Sequence, residues 1–333
     1  MKILVAPLNW GLGHATRCIP LIRQWLNDGH EVVLGGDGES LSLLRRTFPT
    51  LRYVQLAPLQ LRYSKRGRQV FAMLRALPRL WWNSLRDHAI LRDILRQEHF
   101  DRVVSDNRFG LYSRRTESVY ITHQLHIRLP RGWRWAEPLA ERLHARIYTR
   151  FNKVWVPDYA DPDACLAGQL SHPDKLRLPA SSIEYIGALS RFPNPSSVTP
   201  DPAYHTVAIL SGLEPLRTQL EQSLLSRFAN TSEPVLIVRG LIHQPPTRIR
   251  RGNITLVPYM ADSELVPCLL GARHVIARSG YSTIMDLHTL GLLQRAELIP
   301  TPGQPEQEYL AEFVKNICTD KKKAVILQAE KKV

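Results

Sequence analysis

A chain of 333 residues with 44% apolar content is long enough for two ordinary domain cores. No apolar run approaches the ~20 residues needed to span a bilayer, and the apolar start at residues 3–6 is too short for a secretory signal. Cys18, Cys165, Cys268 and Cys318 lie far apart without a C-x-x-C pair, which argues against a disulfide framework or a zinc site and for a reducing cytoplasm. The formal net charge is +14, and all of the excess falls within residues 45–150, which hold 22 Lys/Arg against 8 Asp/Glu. Such a confined basic field suits an anionic partner: nucleic acid, anionic lipid or a phosphorylated substrate. A plainly solvated basic surface is the alternative.

Short apolar segments alternate with segments of helical period, the pattern of parallel βαβ units. The first strand is expected at residues 2–6. A helix over 16–27 follows, with Cys18, Leu21, Ile22 and Trp25 on one face. Further strands are expected at 31–34, 52–55, 102–105, 119–122 and 154–156.

Residues 62–98 interleave Arg62, Lys65, Arg66, Arg68, Arg75, Arg79, Arg86, Arg92 and Arg96 with Phe71, Trp81, Trp82 and several leucines. Helical spacing is evident, and Pro78 is expected to break or bend the segment. Basic beside aromatic residues suit an anionic membrane interface, with a core helix bearing a solvated face as the alternative. No nucleic-acid-binding module is recognisable, so no nucleic-acid partner is expected.

Four prolines in 190–203 can extend neither a helix nor a central strand. The expected organisation is an N-terminal Rossmann-like domain over 1–190, a linker at 191–203, a second Rossmann-like domain over 204–316 and a solvent-exposed Lys-rich tail over 317–333. In the second domain, strands are expected at 206–210, 234–238, 254–257, 274–277 and 297–300. Its helices are expected at 262–270, 282–290 and 305–314.

The loop after the first strand reads Gly11-Leu12-Gly13-His14-Ala15-Thr16-Arg17. Thr16 stands where a G-x-G-x-x-G dinucleotide fingerprint needs its third glycine. Gly11 and Gly13 still allow a tight turn and close approach of a ligand. They place His14 at the carboxyl edge of the sheet, where open α/β sheets bind ligands and a histidine can act as a base near neutral pH. Asp106 follows a strand and belongs to the same edge. His123 ends another strand, and its pairing with His126 lacks a nearby third ligand for a metal.

GLGHATR resembles the first loop of GT-B glycosyltransferases, especially family 28, and the G-x-G-H-x-x-R loop of GT-B-like nucleotide-sugar hydrolases. In those families the loop histidine lies in the cleft and in several it is the proposed base, and in many GT-B enzymes an aspartate after a later strand holds it. The resemblance therefore implies catalytic roles for His14 and Asp106. It also implies acceptor contacts from Gly11, Gly13 and Arg17, and the polar strand end that carries His123 makes it a further expected acceptor contact.

A second series, Arg278-Ser279-Gly280-Tyr281-Ser282-Thr283 with Asp286 three positions on, then a proline-rich loop ending at Gln304, Gln307 and Glu308, resembles the donor half of family 28 in order and spacing. A helix opened by Ser279 and Gly280 would favour phosphate at its positive end. The acid at 286 would bind ribose hydroxyls, with Asp in place of the family's more usual Glu. The resemblance puts Tyr259 and Met260 beside the base. Gly212 and Arg217 fall in the second phosphate-side loop, where Arg217 would neutralise the departing diphosphate or else lie exposed on a helix.

The fold expected is α/β of the GT-B type, two Rossmann-like domains with a ligand cleft between them. The expected activity is metal-independent, inverting transfer from a nucleotide-sugar, UDP-linked by resemblance, to a sugar or lipid-linked hydroxyl. No cofactor is expected beyond the nucleotide-sugar substrate. The expected location is cytoplasmic, peripheral on the inner face of the membrane. A nucleotide-sugar hydrolase and a non-enzymatic basic binding protein are the alternatives.

Overall fold

Two separate sheets organise the chain. The computed structural model describes residues 1–58, 69–245 and 247–330, with side chains described outside 69–77 and 320–330 as well. Contacts divide it into one unit of Met1–Arg191 with Gly212–Pro215 and another of Phe192–Ser211 with Leu216–Val333.

In the first unit, β1 (Lys2–Pro7), β2 (Glu31–Gly36), β3 (Tyr53–Gln55), β4 (Arg102–Asp106), β5 (Glu117–Ile121), β6 (Lys153–Val156) and β7 (Ile183–Tyr185) form a sheet ordered 3-2-1-4-5-6-7. Every pairing is parallel. The cause is visible in β1, whose Ile3, Leu4, Val5 and Ala6 are all fully buried: an unbroken apolar run needs cover on both faces. Helices α1 (Gly13–Asn27), α2 (Gly38–Thr47), α3 (Gln69–Gln97) and α4 (Glu137–Tyr148) connect the strands. Leu4, Ala6, Val33, Val103, Phe100 and Leu91 share one core, and Tyr120, Tyr148, Phe151 and Val154 share another.

The second unit pairs β8 (Thr206–Ile209), β9 (Val235–Val238), β10 (Ile249–Arg251), β11 (Ile254–Val257), β12 (His274–Arg278) and β13 (Ala296–Ile299) in the order 10-11-9-8-12-13. Only β10, at the edge, is antiparallel. Helices α5 (Leu216–Phe228), α6 (Asp262–Gly271), α7 (Tyr281–Thr289) and α8 (Pro305–Glu330) complete it. The proline-rich segment packs on this unit: Phe192 is buried with Val257 and Leu269, and Val198 and Tyr204 lie against the same core.

In each sheet the strand order reverses beside the first strand, between β1 and β4 and between β8 and β12. Loops leaving those strands at their carboxyl ends diverge, and such switch points are where open α/β sheets bind ligands.

Several expected elements change. The proline at 78 does not interrupt α3, which runs continuously from Gln69 to Gln97. α1 begins at Gly13 rather than at residue 16, which places His14 inside its first turn. α8 continues to Glu330, far beyond the helix expected at 305–314, and takes in the backbone of the Lys-rich tail. α2, β7 and β10 were not expected; β7 and β10 are three-residue edge strands, and all of β10 is exposed. The part of the basic stretch at 62–68 lies outside the described residues.

Candidate functional site

Residues that the chain keeps nearly a hundred positions apart meet at the switch point of the first sheet. Parallel pairing sets Pro7 opposite Asp106, and the Leu8 amide donates to the Asp106 carbonyl at 2.8 Å. The chain then turns through Gly11, at φ +76°, into α1. His14 and Arg17, three apart on that helix, project to the same side.

Asp106 is fully buried. Its Oδ1 lies 2.8 Å from His14 Nδ1, and Arg17 Nε donates to its Oδ2 at 2.5 Å. Arg17 Nη2 closes a second bond to Oδ1, and the Cys18 thiol faces Oδ2 at 3.8 Å. Burial pushes the Asp106 carboxyl up, but the charges of Arg17 and His14 and their hydrogen bonds outweigh it and hold the group at about 2. The ionised carboxylate only accepts, so the His14–Asp106 contact is a hydrogen bond when Nδ1 carries the proton; Arg17 Nη2, which lies 3.0 Å from the same Nδ1, then directs its protons to Asp106 instead. That tautomer leaves the Nε2 lone pair as the basic site, on a side chain 17% exposed. Burial drives the Cys18 thiol well up, so it is a neutral packing group rather than a nucleophile.

Arg17 and His123 stand elsewhere than a direct acceptor contact requires. Arg17 is 2% exposed with its guanidinium engaged on Asp106, and buried His123 lies behind it with Nδ1 3.3 Å from Arg17 Nη1. Arg17 therefore fixes and charges the aspartate instead of reaching outward. Gly13 forms the first residue of α1, where its carbonyl accepts from the Thr16 hydroxyl at 3.0 Å.

A network that sequence reasoning missed supports this edge from the other side. Arg108 is buried, and its Nε and Nη2 donate to the two oxygens of Asp87 at 2.9 and 3.0 Å. Its Nη1 reaches Asp37 at 2.7 Å and its Nη2 also reaches the Ala57 carbonyl at 2.8 Å. One arginine thus ties α3, the start of α2 and the chain after β3 to the end of β4.

In the second unit, loops leaving β8, β12 and β13 are laced together. Arg278 Nη1 donates to the Pro300 carbonyl and Nη2 to the Leu216 carbonyl, each at 2.9 Å. The Ser279 hydroxyl donates to the Gln307 carbonyl at 2.8 Å, and Gln307 Oε1 accepts from the Thr301 amide at 2.9 Å. Arg278 and Ser279, expected to touch a donor directly, are instead buried members of the scaffold. Arg217 is likewise buried rather than exposed on its helix, and its Nη1 donates to the Arg239 carbonyl at 2.8 Å. Next to it, a Cβ at Gly240 would stand 2.6 Å from the Leu210 carbonyl, so only glycine lets these two strand ends approach.

α7 begins at the carboxyl end of β12, on the same edge of the sheet. Gly280 is its N-cap and supplies no capping side chain, while half-buried Ser282 and Thr283 occupy the first turn. Asp286 is half-buried further along the same helix. Backbone amides and the positive end of a helix dipole favour a phosphate at such a place. Gly212, at φ +96°, lies in the chain between β8 and α5, and its contacts group it with the first unit. Gln304 and half-buried Tyr259 lie on the loops after β13 and β11, whereas Met260 is core and Glu308 is exposed in the first turn of α8.

Asp158, Cys165 and His172 are grouped closely enough to suggest a metal. The chemistry is against it. Asp158 already accepts from the amides of Tyr159, Leu166 and Ala167 at 2.9, 2.8 and 3.0 Å and from the Ser171 hydroxyl at 2.6 Å. Its carboxylate organises a loop.

No family model matches the chain. A protein of Methanosarcina acetivorans described as an uncharacterized glycosyltransferase is 26% identical over an alignment spanning 94% of this chain and 83% of the relative. The solved MurG of Acinetobacter baumannii, 14% identical, aligns over 95% of this chain and 83% of its own with a TM-score of 0.52. UGT2 of Phytolacca americana, solved with UDP-2fluoro-glucose and pterostilbene, is 13% identical over 93% of this chain and 82% of its own, with a TM-score of 0.53. The chain has the GT-B glycosyltransferase fold. Within the GT-B frame, the His14–Asp106 pair belongs to the N-terminal Rossmann-like unit and the α7 start to the C-terminal one.

Proposed function

We propose that this GT-B protein transfers a sugar from a nucleoside-diphosphate sugar, with UDP the first nucleotide to test, to an acceptor hydroxyl with inversion. The carrying observation is the His14–Asp106–Arg17 constellation at a sheet switch point. The C-terminal unit supplies a second, chemically different place suited to phosphate. The description of the Methanosarcina relative and the UDP-sugar bound by the Phytolacca structure support the reading.

In this mechanism His14 Nε2 takes the proton of the acceptor hydroxyl as its oxygen attacks the anomeric carbon. Asp106 keeps the proton on Nδ1 and stabilises the imidazolium that forms. Arg17 keeps Asp106 ionised. The diphosphate leaves with the bonding electrons, and the amides at the start of α7 stabilise its charge. Asp286 holds the ribose hydroxyls, and the backbone and ring at Tyr259 lie against the base. Because helix amides meet the departing charge, the reading calls on no metal ion.

We also propose that the basic stretch 62–98 rests on an anionic membrane at the inner face, which suits a lipid-linked acceptor. Among its described side chains, Trp81, Trp82, Leu85, Arg79 and Arg86 are exposed on α3. No helix among the described residues is long and apolar enough to cross a membrane.

The test is nucleotide release from a panel of UDP- and TDP-sugars with extracted lipid or soluble glycan acceptors, with and without chelator. Acceptor-dependent release unaffected by chelator supports transfer. Release that is equally fast without acceptor identifies hydrolysis, and no binding of any nucleotide overturns the reading.

A further inference from the structure

The chain between β1 and α1, residues 8–12, is held by more than the strand it leaves. β4 grips its start, where the Leu8 amide donates to the Asp106 carbonyl at 2.8 Å. Its other contacts come from the first turn of α2. Ser40 is fully buried there, with its hydroxyl 3.2 Å from the Leu8 carbonyl and 3.3 Å from the Gly11 carbonyl. A hydroxyl has one proton to donate, so Ser40 is shared between the two carbonyls that bracket Asn9 and Trp10.

Asn9 reaches back from the loop. Its Oδ1 accepts from the Ser40 amide at 3.4 Å, and its Nδ2 donates to Asp37 Oδ2 at 3.1 Å. Ser40 is the third residue of α2, a position whose amide has no acceptor within the helix. An N-cap side chain ordinarily supplies that acceptor. Asp37 is the N-cap of α2 but makes no such bond, because its carboxylate is turned to Arg108 Nη1 at 2.7 Å and to Asn9. A residue of the glycine loop therefore caps α2 in its place. The fit leaves no slack: Gly38 has φ +54°, and a Cβ there would overlap Asn9 Nδ2. Behind Asp37, Arg108 is fastened in turn to Asp87.

We propose that Asn9 and Ser40 are positioning residues that lock the Leu8–Gly11 stretch onto α2 and thereby hold His14, three residues further on, in line with the acceptor hydroxyl. The inference rests on the base role given to His14 above. Asp106 orients the imidazole from the strand side, and the clamp fixes the backbone from which the side chain springs. Such support matters because a displacement of about 1 Å at a reacting group costs about 10²-fold in rate. If the same contacts only stabilised the fold, their loss would lower turnover whether or not His14 were present.

The test compares the full-length wild type with Asn9→Ala, Ser40→Ala, His14→Ala, Asn9→Ala/His14→Ala and Ser42→Ala. The last removes an exposed hydroxyl from the same helix, one that bonds only to the Gly38 carbonyl, and is expected to behave as the wild type. Melting curves check that each variant folds, and half-buried Asn9 carries the test if removal of buried Ser40 prevents folding. Amide hydrogen exchange across residues 8–16 is expected to quicken about tenfold or more in Asn9→Ala and Ser40→Ala. The ring signals of His14, identified by their loss in His14→Ala, are expected to broaden or divide. With UDP-sugar and acceptor, kcat is expected to fall about tenfold to a hundredfold while the UDP-sugar KM holds. In the His14→Ala background, Asn9→Ala is expected to lower turnover no further. Wild-type exchange and sharp His14 signals in Asn9→Ala overturn the proposal. A normal kcat in Asn9→Ala overturns it too, as does an equal loss in both backgrounds. An inactive wild type whose exchange and His14 signals still respond to Asn9→Ala counts against the sugar-transfer reading and supports the clamp.

Discussion

Asp106 and Arg108, two residues apart at the end of β4, anchor two separate buried ion networks: Asp106 joins Arg17 and His14, and Arg108 joins Asp87 and Asp37. Between them Asn107 adopts a left-handed conformation, φ +57°, and accepts from the Tyr120 hydroxyl at 2.7 Å. Asparagine is among the few residues other than glycine that enter this region readily. The turn lets consecutive charged side chains leave the same strand end on different sides. The position of the aspartate against His14 is thereby fixed from behind by α2 and α3.

The coupling of Arg17 to Asp106 is open to a double-mutant cycle. Arg17→Met leaves a buried carboxylate without its guanidinium, and Asp106→Asn leaves a buried guanidinium without its counter-charge. Each is expected to cost about 3–5 kcal/mol of stability. The double variant, which removes both charges, is expected to be more stable than either single one while remaining poorly active. Urea unfolding measures this, and strictly additive losses would show that the two side chains do not act as a pair.

Acid sensitivity is expected from His144. Burial pushes this imidazole down to about 4, and its Nε2 lies 3.1 Å from the Tyr120 hydroxyl. The fold favours the neutral ring, so the unfolded chain binds the extra proton once pH falls below its ordinary value of about 6.5. The contribution is complete above that value and is lost between about 6.5 and 4, a total of about 3 kcal/mol. Asp106 acts lower: its depressed carboxyl contributes above about 4, and that stability is lost as pH falls toward about 2. Denaturation curves across the upper window should steepen for the wild type and flatten for His144→Phe. An unchanged slope in the variant would assign the sensitivity to another group.

The sequence exposed the main strands because their apolar runs are continuous, and it exposed the loops because glycine and histidine stand at their ends. It did not expose direction. Arg278 and Ser279 sit in the motif that drew attention to the second unit, yet both turn inward to carbonyls, and Arg17 turns onto Asp106. Adjacent residues at a strand end point to opposite faces, and which face is the ligand's depends on the partner strands. Arg108 was invisible for a related reason, since Asp37, Asp87 and the Ala57 carbonyl come from three distant parts of the chain. β10 was hidden because three exposed residues, Ile249, Arg250 and Arg251, carry no burial pattern.

In the second unit, Asp286→Ala is expected to weaken UDP binding by about tenfold or more, the usual cost of losing hydrogen bonds to a charged group. Arg278→Met is expected to act differently, lowering thermal stability because the Pro300 and Leu216 carbonyls lose their donor. Calorimetric titration beside a melting curve separates the two. Undiminished UDP affinity in Asp286→Ala would remove this carboxylate from the nucleotide site.

His14→Ala is the most direct test of the mechanism. The side chain is partly exposed and lies in the first turn of α1, so its loss should leave the fold intact. General-base catalysis contributes about 10²–10⁴-fold, and turnover should fall by that order. UDP affinity should hold, because the phosphate site proposed above belongs to the other unit. Asp106→Asn should reduce turnover less than His14→Ala, since an amide still orients the ring through a hydrogen bond but gives the imidazolium no charge partner. Near-normal turnover in His14→Ala would take the residue out of the reaction, and a loss of UDP affinity without a loss of turnover would place it with the donor.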